Sequence, residues 1–194
     1  EADEKVVDYI KSRGRREIYL FKSDEDAVYE KIYDYDLAML EPMVAKPHFV
    51  DNGCPVSEIG DVRIDQGFIG SCNNGRIEEL RVAARILKGR KIHPQVRLLV
   101  TPASKEVYLQ AIKEGLVDIF VASGAMVLNP NCSVCWGGCQ GVIGEGETLI
   151  STGTRNFKGR AGHANSHVYL ASAATVAASA LTGRITDPRE WDHE

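Results

Sequence analysis

The stretch QGFIGSCNNGRIEELRVAARIL, residues 66–87, decides the fold class. Gln66 to Ile69 is a short strand-like run, Gly70-Ser71 breaks it, and beyond Arg76 the apolar residues Ile77, Leu80, Ala84 and Leu87 recur on one helical face. A strand feeding a helix through a short turn is the building unit of a parallel sheet. Working outward, Gly89 stops the helix and Val96 to Val100 reads as a buried-type strand. Pro102 and Ser104 start a helix over Lys105 to Lys113, and Leu116 to Ala122 reads as another strand. This β-α-β-α-β alternation predicts an α/β fold: a three-layer parallel-sheet domain with helices on both faces.

Further along, Gly124 to Gly146 is glycine-rich, which predicts backbone freedom from Gly137 to Gly146. Thr148 to Ser151 predicts a strand and Ala173 to Leu181 an Ala-rich helix. Upstream, Val6, Val7 and Ile10 have helical spacing within Asp3 to Lys11, with Gly14 as a stop. A strand is expected over Glu17 to Phe21, and Ser23-Asp24-Glu25-Asp26 caps an expected helix through Ile32. Pro42, Pro47, Asn52-Gly53 and Pro55 then make an extended connector to about Ile59. Residues 1–194 are thus expected to form a single domain, with a helical and extended lead-in over 1–60 and an α/β core over 61–194.

At 44% hydrophobic residues the chain buries one sizeable core. It contains no run of roughly 18 apolar residues that would predict a membrane span, and its charged first residues do not resemble a secretory signal. A cytoplasmic location is the expectation. The net charge of -4, with Lys and Arg scattered, excludes the basic stripe that tracks nucleic acid.

Chemistry concentrates in the cysteines. Cys132, Cys135 and Cys139 crowd together, Cys72 stands alone at the first strand-to-helix turn, and Cys54 lies in the connector. Thiolates select soft or borderline metals, and a Cys-x-x-Cys pair grips one side of a site while a third thiolate arrives from elsewhere. By itself the pair fits zinc, a dithiol redox couple or an iron-sulfur group equally well. Zinc calls for a fourth ligand, which Cys139 or His163 supplies, and a structural zinc module without catalysis remains the alternative. Ligands of open α/β sheets bind at the carboxyl ends of strands. The loops after Ile69, Val121 and Ile150 are therefore expected to converge.

Ile69-Gly70-Ser71-Cys72-Asn73-Asn74-Gly75-Arg76, Asn129 to Gly141 and Ser151 to Gly162 resemble three motifs of the aconitase family, in that family's order and spacing. The resemblance runs from about Asp61 to Arg189, corresponds to the family's third domain, and is strongest to the large subunits of two-subunit isopropylmalate dehydratases and homoaconitases. It implies that Cys72, Cys132 and Cys135 hold a [4Fe-4S] cluster and that Arg155 and Arg160 bind a dicarboxylic or tricarboxylic hydroxy acid. The implied activity is a hydro-lyase interconverting 2-isopropylmalate and 3-isopropylmalate in leucine biosynthesis, with homoaconitase or aconitase-type hydration as the alternative. The implied partner is a small subunit carrying the catalytic base. Further domains of a large subunit are implied too, so the chain reads as a fragment that is inactive alone. Asn73, Thr154 and Cys139 depart from the family's usual Thr, Asn and His. His163 and His167 read as packing or surface residues.

Overall fold

The computed structural model describes residues 2–14 and 17–191. The outermost residues of the expected 1–194 domain, Glu1 and 192–194, lie outside the described residues. The chain divides into two compact units, 1–40 and 41–194.

In the first unit the expected N-terminal helix forms as α1 (Glu4–Ser12), capped by the Asp3 carboxylate accepting from Val6 N at 3.0 Å. The strand expected over 17–21 and the helix expected through Ile32 do not form; a turn closed by Ala27 N to Asp24 O is what remains of the latter. Both failures have one cause. A strand without a neighbour leaves its backbone ladder unpaired, and an isolated short helix is marginal without an apolar surface to pack on. Residues 19–40 expose Tyr19, Phe21, Val28, Ile32 and Tyr35 instead of burying them.

In the second unit the sheet has the order β2-β1-β7-β6-β3-β4-β5. Its strands are β1 (Met43–Ala45), β2 (Gly53–Pro55), β3 (Gln66–Ile69), β4 (Arg97–Val100), β5 (Met126–Val127), β6 (Thr148–Ser151) and β7 (His167–Ala171). The strands β3 to β7 pair in parallel, whereas β1 runs antiparallel to β7 and to β2. Residues 43–45 and 53–55, within the stretch read from sequence as lead-in, are thus strands of the sheet. The helices are α2 (Ile77–Leu87), α3 (Lys105–Lys113), α4 (Leu116–Ser123) and α5 (Ala173–Thr182). Among the described residues no helix is long and apolar enough to cross a membrane.

Alternation along the strands sorts side chains onto two faces. Ile69, Leu98, Val100 and Ile150 join the apolar residues of all four helices in one cluster. Phe68, Leu99, Leu149 and Val168, of the opposite parity, join Val134, Ile143 and Ala161 in a second. The expected three-layer α/β arrangement is therefore present. Where the alternation called for a second helical layer, the cover is loop 128–147, whose helical content is the 3-10 turn Ser133–Trp136, together with residues near Ala161. Helix α5 sits close to the sheet because Gly67 leaves room: a Cβ there would lie 2.9 Å from Leu98 and 3.3 Å from Val176.

One element differs in kind. Leu116 to Ala122, read as a strand, is helix α4, entered through Gly115 in the left-handed region at φ 72°. A short, largely apolar run suits either a buried strand or a buried helix. Leu116, Phe120 and Ser123 are buried at helical spacing, and the strand is displaced to β5.

Candidate functional site

Because β3 to β6 run parallel, their last residues Ile69, Val100, Val127 and Ser151 share one edge of the sheet. Cys72 follows β3, Cys132, Cys135 and Cys139 follow β5, and Arg155 and Arg160 follow β6. The first turn is tight. A Cβ at Gly75 would lie 2.5 Å from the Thr101 carbonyl and 2.7 Å from that of Ser71, so the chain passes there only as glycine. The buried Thr152 hydroxyl donates to Gly70 O at 2.6 Å and accepts from Gly70 N at 2.9 Å. The Asn74 amide donates to Thr152 O, and the loops after β3 and β6 are thereby stitched together. Cys72 stands exposed in this turn with a free thiol.

The loops after β5 and β6 also lie against each other. Gly137, at φ 76°, passes so near the Arg160 carbonyl that a Cβ would come within 2.5 Å. One Arg160 terminal nitrogen lies 3.8 Å from the half-buried Cys135 sulfur, and its guanidinium is 5.5 Å from the Phe157 ring centre. The buried Arg160 Nε has no hydrogen-bond partner among the described residues. Cys132 is exposed, and the half-buried Cys139 rests on the Gln140 side-chain oxygen. Cys54 is buried in β2, at the opposite side of the sheet from β5.

Among the described residues no three His, Cys, Asp or Glu side chains gather closely enough to hold a metal ion. The fold brings the cysteine loops to one edge without closing the thiols into a triad. In chemistry the donors nonetheless fit a thiolate-bound metal group: the cysteines are free, and a guanidinium with an unsatisfied buried N–H stands beside one sulfur.

Arg155 is exposed, donates to Thr154 O at 2.6 Å, and lines a cavity of about 160 Å³ with His48, Phe49, Val50, Asn156 and Phe157. The buried Asn156 amide donates to Lys46 O and Phe49 O, tying the segment before β2 to the arginine loop. His48 stacks on His167 at 5.9 Å. Burial, then the positive charges of Lys158 and His167, hold His48 below its ordinary pKa, so it stays neutral more readily. His48 was not singled out in the sequence, where it lies in a proline-rich connector with no motif around it. His163 and His167 are exposed, and His163 Nδ1 accepts from Asn165 N in a local turn.

Residues 1–183 match the model of the aconitase family (aconitate hydratase), and the chain belongs to that family. Curated relatives are similar to it over nearly its whole length. It is 53% identical over 188 residues to the 3-isopropylmalate dehydratase large subunit of Hydrogenobaculum sp. (strain Y04AAS1), covering 97% of this chain and 44% of that protein. It is 51% identical to the large subunit of the same name from Aquifex aeolicus, over 97% of this chain and 45% of that one. It is 49% identical to 3-isopropylmalate dehydratase large subunit 1 of Pyrococcus furiosus, over 98% and 45%. The chain thus spans less than half the length of the curated relatives it matches.

Proposed function

We propose that this chain is the cluster-bearing part of a 3-isopropylmalate dehydratase large subunit, with Cys72, Cys132 and Cys135 as ligands of a [4Fe-4S] cluster. The observation that carries the reading is that these cysteines and both arginines leave a single carboxyl edge of the sheet, with Arg160 against the Cys135 sulfur at 3.8 Å. When bound, such a cluster supplies a Lewis acid for a substrate hydroxyl at the iron that has no protein ligand. The chain's own residues do the rest of what it contributes. Arg155 and Arg160 hold substrate carboxylates by paired hydrogen bonds, and the bonds through Thr152 and Asn74 keep the Cys72 turn against the arginine loop. Isomerisation of 2-isopropylmalate to 3-isopropylmalate then belongs to a protein of the relatives' length paired with a small subunit, on which the base is expected. The chain alone is inactive in this reading.

The test is anaerobic reconstitution of the chain with ferrous iron and sulfide, followed by metal and sulfide analysis and visible spectroscopy. Cys72→Ser, Cys132→Ser and Cys135→Ser should each abolish the iron-sulfur absorbance, and Cys139→Ser should retain it. A colourless protein with bound zinc, or full iron retention in Cys72→Ser, would overturn the reading. In the two-subunit enzyme, Arg155→Lys and Arg160→Lys should lower kcat/KM by about a hundredfold, as loss of bidentate contacts to a developing charge does, without changing the unfolding midpoint.

A further inference from the structure

Ser133 lies between the two cysteines of the pair and is, among the described residues, the one non-glycine with positive φ, at 45°. An L-residue is disfavoured there, and the conformation persists only where its surroundings hold it. What holds it is visible. The Ser133 side chain is wholly buried, its hydroxyl donates to Gln140 O at 3.0 Å, and its N–H donates to the Asn131 side-chain oxygen. The next residue, Val134, is 1% exposed and packs with Phe68, Leu99 and Ile143. Cys135 N to Cys132 O and Gly137 N to Val134 O, each 3.0 Å, close the turn in between.

The far end of the loop is fixed from the sheet. Gln66, 1% exposed in β3, donates its amide to Gly141 O at 2.6 Å and accepts from Arg97 Nε at 3.0 Å. The glycine content of 137–146 argues for mobility, whereas the bonds at Ser133, Gln140 and Gly141 argue for a loop closed at its base. Both cysteines lie in the closed part, Cys132 exposed and Cys135 half-buried against the Phe68 cluster.

We propose that Ser133 is the positioning residue of the Cys132 and Cys135 thiols, clamping the loop base so that the pair is arranged before any metal arrives. The inference rests on the reading that these two cysteines are ligands. It changes what metal binding must accomplish, because a loop ordered in advance loses less conformational freedom when a metal is captured.

Two replacements separate the hydroxyl from the backbone. Ser133→Gly relieves the positive φ and removes the hydroxyl, while Ser133→Ala keeps the unfavourable φ and removes the hydroxyl. In the metal-free chain Ser133→Ala should speed amide exchange across residues 131–141 by about tenfold, the effect of one buried hydrogen bond, Ser133→Gly should do so less because it regains the φ cost, and both should leave β3 and β4 unchanged. Alkylation of Cys132 and Cys135 should accelerate while that of Cys72 stays the same. After reconstitution with ferrous iron and sulfide, Ser133→Gly should release iron to a chelator faster than the parent. If Ser133→Ala matches the parent in exchange and alkylation, position 133 is only a turn and the inference falls, whatever metal the chain binds. If exchange responds but Cys132 and Cys135 bind no iron, the clamp on the thiols stands while the proposed function falls.

Discussion

The two cysteine-bearing loops leave the same sheet edge but are held in different ways. The turn carrying Cys72 is limited chiefly by space, since at Gly70 and Gly75 backbone atoms stand where a side chain would begin, with the Thr152 and Asn74 bonds added to it. The loop carrying Cys132 and Cys135 is fixed largely by side chains, through Ser133, Val134 and Gln66, and has open space at Gly146, where a Cβ would meet nothing within 4 Å. A thiol on a space-limited turn tolerates almost no substitution nearby. A thiol on an anchored loop depends on a few bonds, each removable.

The largest expected effect is at Gly75. Gly75→Ala should cost about 3 kcal/mol or more in urea unfolding, since the obstacle is backbone on both sides, whereas Gly146→Ala should cost about 1 kcal/mol from its positive φ alone. Equal losses would break the comparison. Next comes Thr152→Val, which leaves both polar groups of Gly70 buried without their partner. It should cost about 1–3 kcal/mol and speed alkylation of Cys72 but not of Cys132. A uniform change at all thiols would show that the two loops are one cooperative unit.

The smallest effect concerns Glu147, at the exit of the second loop. Its carboxylate accepts from Gly144 N at 2.7 Å and from Arg97 at 2.7 Å, and these bonds hold its pKa below the ordinary 4.5. A depressed folded pKa gives stability that is present above about pH 4.5 and lost as pH falls through the lower folded value. Glu147→Gln should therefore flatten the acid side of the stability profile. At neutral pH it should change stability by less than about 1 kcal/mol, because water screens a partly exposed pair. An unchanged acid limb would remove Glu147 from the account of how the loop exit is held.

Much of the sheet was legible because each strand-to-helix unit carries its own punctuation, as at Gly70, Gly89 and Ser104. The run Leu116 to Ala122 was not, since a short apolar segment has no period to separate helix from strand, and the deciding feature was Gly115 at its head. Strands β1 and β2 were hidden among prolines because β2 pairs only with β1, and β1 joins the sheet through β7, far along the chain. For the candidate site, the cysteines and arginines stood out through motif and residue type. Ser133, Gln66, Thr152 and Asn156 did not, because a serine or an amide shows its role only when a distant carbonyl comes within reach.

The hairpin of β1 and β2 has a consequence for how the chain behaves among its own copies. It pairs with β7 at Leu170 and Ala171, and without it the whole five-residue strand would be unpaired on that side. With it, the sheet stops at a three-residue strand ending in Pro55, which has no N–H to offer, and at the opposite border stops at the two-residue β5. Short borders, one of them closed by a proline, give another molecule little to add a strand to. A shortened chain begun after Pro55 would uncover β7 and should be lost to aggregation before it is lost to unfolding.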